Sequence, residues 1–146
     1  MRLTELKGDL FAGSESSDPP ASMAHCVSAD LRMGRGIAAE FRSRFGRIDE
    51  FRRQTCGIGE VAHLRLSDGR LLACLVTKQR YWEKPTYDSL TQCLQRLRQI
   101  CLDQGVKRLA VPRLGCGLDR LDWRRVRELI EAVFDGADVC VDVYSL

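Results

Sequence analysis

The sequence has no Cys-x-x-Cys pair, and its two histidines, His25 and His63, have no ligand-like spacing to any pair of cysteines. No zinc site can be read from it, and no metal or cofactor is expected. It lacks any run of about 18 apolar residues and any apolar leader near its start, which argues against a membrane span or a secretory signal. A basic block is missing too: 23 Lys and Arg stand against 20 Asp and Glu, and a net charge of +3 is too slight to argue for nucleic-acid binding. There is no Gly-Lys-Ser/Thr to hold a metal nucleotide. No repeat, low-complexity segment or linker divides the 146 residues, so one domain with a substantial core is expected. The seven cysteines are odd in number and scattered, as free thiols are in a reducing compartment. The expected chain is soluble, intracellular (cytoplasmic or nuclear) and monomeric.

What is present alternates. Strands are predicted at Leu3 to Leu6, Met23 to Val27, Glu60 to Leu66, Leu71 to Thr77, Arg108 to Val111 and Val139 to Tyr144. The Asp68-Gly69 pair between two apolar runs signals a hairpin. Helical spacing joins Ile37, Ala38, Phe41 and Phe45, then Leu90 through Cys101, then Val126 through Phe134, with glycines at 46, 105 and 136 as stops. Asp122 is placed to cap the third of these helices. The polar run Gly13 to Pro20 reads as a surface loop. Strands alternating with helices, with one hairpin inserted, predict an α/β protein with a mixed sheet covered by helices on both faces. Ligands in such sheets sit beyond the carboxyl ends of the strands.

The chemistry-bearing residues fall in loops after strands. Pro112 to Leu121 holds Gly115 and Gly117 between a strand and a helix, where a curled backbone aims its N–H groups at an anion. Cys26 to Ala38 carries a second Gly-x-Gly, Gly34 and Gly36, with Ser28 able to donate a hydrogen bond. Two such curls point to a diphosphate held between them. Asp119, at the lip of the first, is either a residue of the helix start or a chemical group; with Asp122 available as cap, it has less structural reason to be acidic. Lys78 ends an apolar strand. It either snorkels into water or serves as a nucleophile, its amine freed by desolvation and by a neighbouring charge such as Arg80, with Asp119 as acid or base. Asp9 follows a glycine and suits a turn. Cys116 has no histidine in its motif and reads as a packing thiol. His25 reads as a satisfied core or edge histidine. Tyr81 and Trp82 fit either a substrate rim or ordinary packing.

Taken together, Gly8-Asp9-Leu10-Phe11, Ala24-His25-Cys26-Val27-Ser28, Arg32-Met33-Gly34-Arg35-Gly36-Ile37-Ala38, Leu75-Val76-Thr77-Lys78, Lys84-Pro85-Thr86-Tyr87, Pro112 to Leu121 and Val143-Tyr144-Ser145-Leu146 resemble the macrodomains, the three-layer α/β/α fold that binds ADP-ribose. They are most similar to the subgroup of terminal ADP-ribose protein glycohydrolases, also O-acyl-ADP-ribose deacylases. Most macrodomains carry an asparagine-rich motif after the second strand; Cys26 to Asp30 stands there instead, as in that subgroup. The resemblance implies a metal-free hydrolase with Lys78 as nucleophile and Asp119 as acid/base. It removes mono-ADP-ribose from protein Glu or Asp, or deacylates O-acyl-ADP-ribose. It implies ligand contacts by Asp9, Leu10, Ser28, Gly34, Gly36, Thr77, by the loop Arg113, Leu114, Gly115, Cys116, Gly117, Leu118, and by Leu146. Rival expectations are a reader module that binds ADP-ribose without turnover, a hydrolase acting on ADP-ribosylated nucleic acid, and a phosphatase acting on ADP-ribose phosphate.

Overall fold

The computed structural model describes residues 1–146 as β1 (Arg2–Lys7), α1 (Leu10–Ser16), β2 (Ser22–Ser28), α2 (Gly36–Phe45), α3 (Ile48–Arg52), β3 (Val61–Arg65), β4 (Leu71–Lys78), α4 (Tyr87–Asp103), β5 (Arg108–Pro112), α5 (Trp123–Val133) and β6 (Cys140–Ser145). All six predicted strands are present, with ends displaced by no more than one residue. They form one sheet in the order β1-β6-β5-β2-β4-β3. Every neighbouring pair is parallel except β3 and β4, the predicted hairpin, whose turn closes through Leu66 N–H to Arg70 C=O (2.8 Å).

β4 shows why the sheet sits centrally. Its first seven residues are all buried, so its apolar run reflects cover on both faces rather than an inside and an outside. Leu71, Ala73 and Leu75 join the core under α4 and α5, with Leu90, Leu94, Leu97, Val126 and Ile130. Leu72, Cys74 and Val76 face the other way, into a second core with Leu10 and Phe11 of α1, Phe41 of α2 and Phe51 of α3. The three-layer α/β/α arrangement follows from this alternation. No helix is long and apolar enough to cross a membrane.

Two elements depart from the sequence reading. The run from Gly13 is no loop at its start: Leu10–Ser16 is a helix, and Ser14 within it is fully buried. Gly13, Ser14 and Ser16 are poor helix formers. Asp9 compensates by capping, accepting from Phe11 N–H (3.4 Å) and Ala12 N–H (3.3 Å). Gly13 is also required there, because a Cβ would collide with the Tyr144 ring. The short α3 goes unseen because Gly46 reads as a stop; Phe51, 2% exposed, anchors it. His25 is another correction. It is fully buried and stacked on Phe41 (centroids 3.9 Å apart), but only Nε2 has a polar neighbour, Cys74 Sγ at 3.4 Å; Nδ1 has none. Burial alone pushes its pKa down to about 3.

Candidate active site

β2, β4, β5 and β6 run parallel, so their carboxyl ends meet along one edge of the sheet, and the loops that follow them gather there. Lys78 is the last residue of β4, and its Cα pairs with that of Ser28, the last residue of β2. The lysine does not snorkel into water. Its Nζ donates to Asp119 Oδ1 at 2.6 Å, and the two side chains are only 13% and 20% exposed. Asp119 is not a cap, since Asp122 fills that role by accepting from Arg124 N–H (3.1 Å). Arg80, expected to press on the lysine, is exposed, and its charge acts on Asp30.

The two glycine curls are donor-rich. In the loop after β5, the backbone N–H groups of Leu114, Gly117, Leu118 and Asp119 make no hydrogen bond within the chain, while that of Gly115 faces the Cys26 thiol. The N–H groups of Gly34, Arg35 and Gly36, at the start of α2, are likewise unengaged. Backbone donors unpaired at a helix start are what an anion seat requires. The loops lie against each other: a Cβ on Gly36 (φ +59°) would sit 3.4 Å from Leu118 Cδ1. Gly115 (φ +71°) is left-handed and closes on Leu121, whose Cδ1 would lie 2.7 Å from an added Cβ. Beside Lys78, Thr77 is 2% exposed, and its buried Oγ1 has no hydrogen-bond partner in the chain.

Lys78, Asp119, Ser28, Thr77, Gly34, Gly36, Gly117 and Leu118 therefore belong to one end of the sheet, with Leu118 and Leu146 well exposed. Others have side chains committed elsewhere. Leu10 and Leu114 are in the cores, at 4% and 1% exposed, so Leu114 can offer a ligand only its main chain. Arg113 turns to Glu5 (3.7 Å) and Trp123, and Asp9 caps α1. The Cys116 thiol points to Leu114 C=O (3.3 Å), and its pKa is pushed up to about 11 by burial, which suits packing and not attack. Tyr81 and Trp82 are exposed, with Arg32 stacked over Tyr81 at 4.6 Å.

Sequence reasoning passed over Asp30. Its carboxylate accepts from Ser28 Oγ and, at 3.2 Å, from Arg32 N–H on Oδ1, and from Tyr81 N–H on Oδ2 (3.1 Å). Partial burial alone would raise its pKa, but these hydrogen bonds and the nearby Arg80 hold it below the usual carboxylate range. The only signal was the Ser-x-Asp-x-Arg spacing of a local side-chain turn. Ser89 was also missed; its Oγ donates to Thr77 C=O (2.8 Å), tying α4 to the strand one residue before Lys78.

The sequence and the fold that build this site are similar to those of known proteins. The chain is 46% identical over 145 residues to the human protein named ADP-ribose glycohydrolase OARD1, covering 99% of this chain and 92% of that one, and equally so to its Bos taurus counterpart. The fold matches the macrodomain of Thermus aquaticus DarG with a TM-score of 0.85 at 22% identity, covering 99% of this chain and 98% of that chain. It also matches Thermosipho africanus DarTG, solved in complex with ADP-ribose, with a TM-score of 0.83 at 20% identity, covering 99% of this chain and 41% of that one. The Macro domain profile matches residues 24–130, the stretch holding both glycine loops, Lys78 and Asp119, and the chain belongs to the macro domain family.

Proposed function

We propose that this protein is an ADP-ribose hydrolase that removes mono-ADP-ribose from protein Glu or Asp side chains and deacylates O-acyl-ADP-ribose. The observation that carries the reading is the 2.6 Å contact between Lys78 Nζ and Asp119 Oδ1 at the head of two anion-binding loops. A module that only grips a diphosphate needs neither group there. Near-full-length identity to a named ADP-ribose glycohydrolase supports the same conclusion.

In this reading the diphosphate occupies the donor-rich curls and directs the distal ribose toward Lys78. An ammonium has no lone pair, so one proton passes first from Nζ along the existing hydrogen bond to Asp119. The freed amine then attacks the anomeric carbon: the C–N bond forms, the bond from that carbon to the acyl oxygen breaks, and the carboxylate leaves with the electron pair. Asp119 passes its proton to the departing carboxylate and, ionised again, takes one from water as the water oxygen bonds to the anomeric carbon. The C–N bond breaks with its electron pair returning to Nζ, and Asp119 returns that proton to Lys78 as ADP-ribose leaves.

The test pairs kinetics with intact-mass spectrometry. Lys78→Ala is expected to abolish turnover of glutamate-linked ADP-ribose while holding ADP-ribose affinity within about tenfold, ~1.4 kcal/mol. In Asp119→Ala the amine must lose its proton to solvent instead, so turnover is expected to fall sharply. A mass increase of one ADP-ribose less water, mapped to Lys78, is expected to build up slowly, because no base helps water to cleave it. Full activity in Lys78→Ala would sink the assignment.

A further inference from the structure

We propose that Asp30 is a positioning residue that turns the Ser28 hydroxyl into a dedicated hydrogen-bond acceptor for a hydroxyl of the sugar presented to Lys78. The proposal rests on the reading that Lys78 faces a ribose. A serine hydroxyl has one proton, and here it is given to Asp30 Oδ1. The direction of that bond is fixed: an ionised carboxylate accepts and cannot donate, and Asp30 is kept ionised by the donors around it. Ser28 therefore presents only lone pairs to a ligand, the reverse of the donor role its sequence suggests. A phosphate oxygen, itself an acceptor, would meet lone pair against lone pair. A sugar hydroxyl would donate.

The placement agrees with that chemistry. Ser28 is 4% exposed, and its Cα is the register partner of Lys78 across β2 and β4, so the acceptor stands beside the attacking amine. The same carboxylate fixes the surroundings. Oδ1 also takes Arg32 N–H, and Oδ2 reaches across to Tyr81 N–H, three residues beyond Lys78. One side chain thus orients the serine and joins the loops that follow β2 and β4. Phosphates go to the glycine curls; the sugar hydroxyl goes to Ser28.

Calorimetric titration with ADP-ribose and with ADP, which lacks the distal sugar, tests this in the full chain. Asp30→Ala is expected to weaken ADP-ribose binding about tenfold, the scale of one hydrogen bond to a polarised acceptor, and to leave ADP within about twofold. Ser28→Ala should show the same pattern, and the double variant should be no weaker than either single one, because the pair acts as a unit. Asp30→Asn retains an oxygen for Ser28 and should hold ADP-ribose within about threefold of the parent. Equal loss of both ligands in Asp30→Ala would reduce Asp30 to a loop brace and overturn the proposal, as would unchanged ADP-ribose affinity in Ser28→Ala. A parent protein that binds neither ligand would overturn the functional reading, and this inference with it.

Discussion

Lys78 and Asp119 are mostly buried, and such an ion pair contributes little to stability, because desolvation offsets much of the attraction. Its value is chemical: a proton can cross 2.6 Å without either side chain moving. His25 is the opposite kind of buried titratable group, with no charge partner and an apolar ring, Phe41, against its face. Its pKa falls from 6.5 in the unfolded chain to about 3 in the folded one, so between these values the unfolded state binds the extra proton. Stability from a neutral buried His25 is complete above about pH 6.5 and is lost as pH falls, at about 1.4 kcal/mol per unit from pH 6 to 4. Denaturant unfolding across that range should show the slope in the parent and a shallower one in His25→Leu. Identical slopes would assign the acid sensitivity to other groups.

Among the elements, α4 bears most directly on the site. Thr86 and Ser89 form a reciprocal capping box, and Ser89 also holds the Thr77 carbonyl. Ser89→Ala removes the cap partner and the tether together, and is expected to destabilise the fold by about 1–2 kcal/mol, read from chemical denaturation. A loss below about 0.5 kcal/mol would mean that water replaces both contacts. The strands were legible because their apolar runs are bounded by turns, and α4 because Leu90, Cys93, Leu94, Leu97 and Cys101 recur on one face. α1 was illegible because its helix is enforced from outside, by the Asp9 cap and by the Tyr144 ring over Gly13. The site divides likewise. Glycine spacing and a lysine at a strand end nominate residues from within short motifs. The Lys78–Asp119 contact joins residues 41 apart, and the Asp30–Tyr81 bond residues 51 apart, distances that no local pattern encodes.

At the scale of the molecule, two cores share one sheet: Cys93 and Cys101 lie in the core under α4 and α5, Cys74 in the core under α1, α2 and α3. Burial pushes the Cys93 and Cys101 thiols up to about 12, and Cys74 higher still, so all three are unreactive in the folded protein. Iodoacetamide at neutral pH is expected to spare them until the chain unfolds, and then to label all three in the same denaturant interval, while partly exposed Cys56 and Cys140 react earlier. Peptide mapping across a urea series checks this. Labelling of Cys74 at lower urea than Cys93 and Cys101 would show that the two sides of the sheet come apart independently.

The edge strand β1 has a single neighbour, and that neighbour is β6. Synthesis runs from the amino end, so Arg2–Lys7 is made more than a hundred residues before Cys140–Ser145, the strand it pairs with, and must wait for it. Throughout that interval it is an unpaired ribbon with both rows of backbone groups open, the state in which strands of neighbouring nascent chains find one another. The ribbon is protected only once β6 has been made and has docked beside it.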